Sequence, residues 1–152
     1  MKTLIPYTVL LLFSLISVTV HSQSTASVKP QLFNSFPDKL NCSVTELSKA
    51  FTATIDQNIN LSFSDNFLFS GKVISNVIKY TNLQTIVIKS TLFGNAIFVL
   101  SKIKNRDNSI VYAGHIINAK YFDGYELKKD VSDYYQLIKI ETDKVIPDCS
   151  QN

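Results

Sequence analysis

The side chains with the most chemical potential in this chain are one histidine, a run of tyrosines and lysines around it, and two widely separated cysteines. His115 sits in the stretch IVYAGHIINAKYFDGYELKK, residues 110–129. An imidazole titrating near neutrality suits a general base or a metal ligand. A metal centre needs three or four His, Cys or carboxylate ligands, and no such spacing surrounds His115, so neither metal nor cofactor is expected. Ser101, Ser109 and Asp107 supply the types for a Ser-His-Asp unit, but no nucleophile-elbow pattern accompanies them. Asp123 and Glu126 are the nearest carboxylate pair of the kind that cleaves glycosides. An Asp-Gly dipeptide fits the centre of a two-residue hairpin, which would place Asp123 and Gly124 in a turn and set Tyr121 opposite Glu126. No catalytic residue is assigned. By strand alternation His115 shares a face with Val111, Ala113, Ile117, Ala119 and Tyr121, the more apolar side, where packing explains it.

The tyrosines point elsewhere. Tyr112, Tyr121, Tyr125, Tyr134 and Tyr135 interleave with Lys120, Lys128 and Lys129. Amphipathic rings beside cations make contact surfaces for protein or sugar. The candidate binding set is therefore Tyr112, His115, Lys120, Tyr121 and Tyr125. Asp123, Glu126, Asp130 and Asp133 cancel the local positive field, and a net charge of +3 is too small to imply a nucleic-acid partner.

The elements that position these residues are legible from the start of the chain onward. Lys2 followed by an apolar run to Val20, with Val20 and Ser22 at the minus-three and minus-one positions, is the pattern of a signal peptide over residues 1–22. Export follows, so a secreted or periplasmic location and no membrane association after cleavage are expected. Residues 23–31 read as a flexible lead-in, and residues 32–152 as one domain. Cys42 and Cys149 lie near the two ends of that domain, and an oxidising compartment favours a bond between them. Closing a loop of about a hundred residues contributes up to roughly 4–5 kcal/mol in the chain-entropy description.

In NCSVTELSKAFTATI, Ser43 and Glu46 form a capping box, and Val44, Leu47, Phe51 and Ile55 make the apolar stripe of a helix. INLSFS alternates as a half-buried strand. FLFSGKVIS, KVISNVIKY, LQTIVIKS and NAIFVLSKI follow, β-branched and aromatic, with a turn at Gly94 and Asn95. The 110–129 segment and YYQLIKIET complete the set. One N-terminal helix packed on an antiparallel sheet of about six strands gives an α+β fold; a small closed or half-closed barrel is the alternative. Asn41 and Asn60 begin sequons that matter only in a eukaryotic host.

The segments VHSQ, FPDKL, FSGKV, NLQTIVIKS, LSKI and FDGYELKK together resemble small exported proteins of Gram-negative bacteria that have no assigned function. That resemblance implies a periplasmic or secreted protein and carries over no activity. Three functions fit the residues. The first is a non-enzymatic domain that contacts a protein or polymer through a sheet face or edge. The second is a small extracellular hydrolase using His115 and a carboxylate, and the third is an inhibitor or accessory domain of a larger exported protein.

Overall fold

The structure, a computed structural model, describes residues 29–142; residues 1–22, most of the lead-in and Cys149 lie outside that range. Nine elements follow one another: β1 (Lys39–Cys42), α1 (Val44–Ala50), β2 (Asn58–Ser64), β3 (Phe67–Tyr80), β4 (Leu83–Ser90), β5 (Ile97–Lys104), β6 (Ile110–Ile117), β7 (Asp123–Lys129) and β8 (Tyr135–Glu141). From β2 to β8 each strand pairs with the next, and β8 then pairs with β1, giving one antiparallel sheet in the order β1-β8-β7-β6-β5-β4-β3-β2. The end strands β1 and β2 approach within 8 Å between Cα atoms without forming a ladder. The architecture is thus a nearly closed, up-and-down barrel of eight strands, not the α+β sheet of about six strands expected above. The physical reason is the edge problem: an open meander leaves two unpaired edges, and curling brings the end strands β1 and β2 together.

Alternation survives the correction, because the inner surface of a barrel uses the same period of two as a half-buried sheet. In β2 the inward residues are Ile59, Leu61 and Phe63, and in β3 they are Phe67, Phe69, Gly71 and Val73. They meet Ile86, Ile88, Phe98, Leu100, Ile116, Tyr125, Leu127 and Leu137 in a continuous core. Aromatic rings fill the interior: Phe69 and Phe98 meet edge-on at 5.4 Å, and Phe67 stacks on Phe93 at 5.2 Å. Pairs of this geometry each contribute about 0.5–1.5 kcal/mol beyond the area they bury.

One end of the barrel is strapped shut by the segment before β1. The buried Asp123 carboxylate accepts from the Leu32 and Phe33 amides, the latter at 2.8 Å. Tyr125 donates its hydroxyl to Pro37 O at 2.6 Å, and Lys139 donates to Phe36 O at 2.7 Å. Asp123 and Gly124 are therefore not the turn of a hairpin; they open β7, and the chain turns at residues 118–121 instead, where Tyr121 N donates to Asn118 O. Gly124 is required by close approach, since a Cβ there would come within 2.5 Å of Ile116 O.

At the other end, Ser43 caps α1 by accepting from Glu46 N at 3.1 Å. Glu46 does not complete the expected reciprocal bond; its carboxylate accepts from Ser62 N, on the open side of β2, at 3.0 Å. The helix is short, ending at Phe51, and the outer members of its stripe, Val44 and Ile55, are exposed while Leu47, Ala50 and Phe51 are buried. No helix among the described residues is long and apolar enough to cross a membrane.

Candidate functional site

The strands do not all end together, and that mismatch makes the site. β2 begins at Asn58, opposite Lys72, so β3 beyond Val73 has no neighbour on that side. The departure is marked by a bulge at Ile74, where Val73 pairs with Ile88 but Ser75 pairs with Val87. A bulge increases local twist and bends the strand away from its partner. On the far side β7 meets only Gly114, His115 and Ile116 of β6; beyond them the Tyr112 amide donates to the Tyr135 hydroxyl at 3.0 Å, so a side chain rather than a strand closes that edge. The upper halves of β3, β4, β5 and β6 therefore extend past β2 and β7 as a four-stranded flap, with the β3 edge free of any paired strand.

The β3 edge is long and apolar. Ile74 is 47 % exposed, Val77 46 %, Ile78 71 % and Tyr80 68 %. The sequence from Ile74 to Tyr80, ISNVIKY, is rich in strand formers, and no strand among the described residues pairs with it on that side. Lys79, Lys102, Lys104 and Arg106 give the flap a positive charge, and none of them is ion-paired within the described residues. The nearest carboxylate along the chain, Asp107, is held below its usual range by the Ser109 hydroxyl and amide that donate to it.

The residues singled out in the sequence fall elsewhere. Tyr112 and Tyr125 are 5 % and 0 % exposed, inside the barrel, so no partner can reach these rings without opening it. Burial, reinforced by Asp123 and Asp38, pushes the Tyr125 phenol well above its ordinary range. Tyr121 is half-buried and Lys120 exposed at the strapped end, beside the β4–β5 turn. His115 is on the outer wall, not the inner side that the apolar residues suggested: Val99 and Glu126 flank it across the ladder. Its pKa is lowered by partial burial, against which Glu126 acts. His115 on this outer wall has Glu126 as its carboxylate neighbour, and Glu126 is itself paired with Lys128 at 2.9 Å.

Cys42 is buried, and its thiol is pushed up to about 12 by desolvation, which keeps it unreactive in the folded state. Its expected partner Cys149 lies outside the described residues. No group of His, Cys, Asp and Glu side chains among the described residues is placed to hold a metal ion.

Two concave features accompany the flap. A cleft of about 880 Å³ follows the seam of the barrel between Asn41–Val44, Ser62–Asp65 and Asp130–Gln136. A smaller basin of about 320 Å³ lies on the flap itself and is lined by Ile78, Tyr80, Leu83, Lys102, Lys104 and Ile110 among others. The flap went unseen in the sequence because its signal is relative strand length: only pairing shows that β3, fourteen residues long, outruns the seven of β2.

These features define a class, an up-and-down antiparallel barrel with a packed interior and a projecting edge. Beyond that class, no protein-family model, curated protein or solved structure matches the chain.

Proposed function

We propose that the protein is an exported binding module that takes an extended segment of a partner protein onto the free edge of β3, adding a strand to the flap. The observation that carries this reading is the unpaired run from Ser75 to Tyr80, where backbone donors and acceptors lie open beside exposed Val77, Ile78 and Tyr80. In strand addition the main chain supplies affinity and alternate side chains supply selectivity. The cations Lys79, Lys102, Lys104 and Arg106 select a segment in which apolar residues alternate with acidic ones.

The test is selection from a displayed peptide library with the mature chain, counter-screened against Val77→Glu. Wild type enriches peptides alternating apolar and acidic residues, and Val77→Glu binds them about tenfold or more weakly while melting at the same temperature. Peptides that bind both proteins equally overturn the reading. So does a stable homodimer in sedimentation that Val77→Glu dissociates, because the edge would then belong to a second copy.

A further inference from the structure

We propose that the basin on the concave side of the flap is a separate binding site for a small amphiphilic anion, an acyl or aryl body ending in a carboxylate. It shares Ile78, Tyr80, Lys102 and Lys104 with the edge reading but does not depend on strand addition, which needs the open backbone of β3.

The basin is built from the barrel's own inner row. Ile78 pairs with Gln84, Gln84 with Lys102, and Lys102 with Tyr112, so four strands contribute neighbours to one line. The adjacent row, Asn76, Ile86, Leu100 and Gly114, continues directly into the core. Inside the barrel these positions are apolar and filled. Past the walls of β2 and β7 the same face stays covered at Tyr112, by the Phe51 and Tyr135 rings, and opens to solvent at Ile78, Lys104 and Ile110.

Its floor is fixed before any ligand arrives. Gln84 Nε2 donates to Asn76 Oδ1 at 2.9 Å, and Asn76 Nδ2 donates to Ala53 O at 2.8 Å, tying the flap to the loop after α1. The Lys102 ammonium lies 5.2 Å from the centroid of the Phe51 ring, so an aromatic face rather than a carboxylate holds it. Lys104 N donates to Asn82 O at 2.8 Å, joining the tip of β3–β4 to β5.

The lining dictates the ligand class. Ile78, Tyr80, Leu83 and Ile110 offer apolar walls, Lys102 and Lys104 offer two cations, and no acidic side chain among the described residues lines the basin. Two unpaired ammonium groups over an apolar surface favour an anion whose body is apolar. A volume of about 320 Å³ is at the small end for ligand sites, which suits a medium-length acyl chain rather than a nucleotide.

The mature chain is titrated with decanoate, 1-decanol, inorganic phosphate and vesicles of anionic phospholipid, read by calorimetry and by methyl resonances. Decanoate binds saturably and shifts Ile78, Leu83 and Ile110, while decanol and phosphate each bind about tenfold or more weakly. Lys102→Gln and Lys104→Gln each weaken decanoate by about tenfold. If Lys102→Gln loses its fold with the Phe51 contact, Lys104→Gln and Ile78→Asp carry the test. Val77→Glu, on the opposite face, keeps decanoate binding although it loses edge peptides, so the two proposals fail separately. Equal binding of decanol, phosphate alone at the same resonances, vesicle binding without decanoate binding, or indifference to both lysine variants overturns the proposal.

Discussion

The two edges flanking the β2–β3 pair receive opposite treatment. On β2 the helix α1 lies against the open side and its side chains stand in for a missing strand: Glu46 accepts from Ser62 N and Lys49 donates to Asn60 O at 3.0 Å. On β3, past the bulge, no side chain among the described residues performs that service and apolar side chains stand exposed. Natural sheets cover, charge or shorten their edges because an open one recruits other strands. A chain that guards one edge with a dedicated helix and leaves its neighbour bare has separated a part built to stay closed from a part available for contact.

The comparison breaks most severely at the strapped end. Asp123→Ala leaves the part-buried Leu32 amide and the buried Phe33 amide without their acceptor, and an orphaned donor costs about 1–3 kcal/mol when fully buried. A loss of roughly 2–5 kcal/mol is expected in urea unfolding, a large share of the stability of one domain. Ile78→Ser in the flap shifts the same curve by no more than about 0.5 kcal/mol, because that side chain is already largely in water. Equal losses would mean the flap belongs to the closed part after all.

The guard itself gives the next largest effect. Glu46→Ala removes the acceptor for Ser62 N and its pairing with Lys49 at 3.6 Å. The expected cost is about 1 kcal/mol, and the diagnostic change is association: the variant sediments as a concentration-dependent oligomer where wild type does not. If it stays monomeric, α1 is packing and not protection. Amide exchange then sharpens the boundary, with alternate amides of Ser75–Tyr80 exchanging fast while those of Leu61 and Phe69, inside the ladder, persist. Protection that is uniform along β3 removes the distinction drawn at Ile74.

Much of the barrel was legible in local patterns. INLSFS and FLFSGKVIS alternate as they should, Ser43 caps the helix it precedes, and Gly94 and Asn95 adopt the positive φ values that suit a turn. Closure was not legible, since it depends on β1 and β8 meeting across nearly the whole domain. FDGY misled for a physical reason. Asp and Gly favour tight turns, yet here the carboxylate satisfies amides about ninety residues earlier and the glycine makes room for a neighbouring carbonyl. His115 misled by parity: both faces of the 110–117 segment are apolar, so alternation alone could not say which faced inward. The flap's binding features were hidden in the same way, because Ile78 and Lys102 lie in different strands and meet only through register.

The smallest effect tests the outer wall, where His115 stands between the two regions. Partial burial lowers its pKa and Glu126 opposes that shift, so the folded protein holds the neutral ring more strongly than the unfolded chain does. The unfolded chain takes up its proton near about pH 6.5. Between that value and the lower folded pKa the unfolded state carries more protons, and stability falls as pH falls. Unfolding midpoints measured from about pH 7.5 down to pH 5 should therefore decline, and His115→Gln should flatten part of that decline without altering the midpoint at the upper end. Glu126→Gln should steepen it, because the one favourable charge beside the ring is gone. A profile unchanged by His115→Gln would assign the acid sensitivity to other groups. A profile whose sign reversed would mean that the imidazolium is stabilised on this wall, and that Glu126 rather than desolvation governs it.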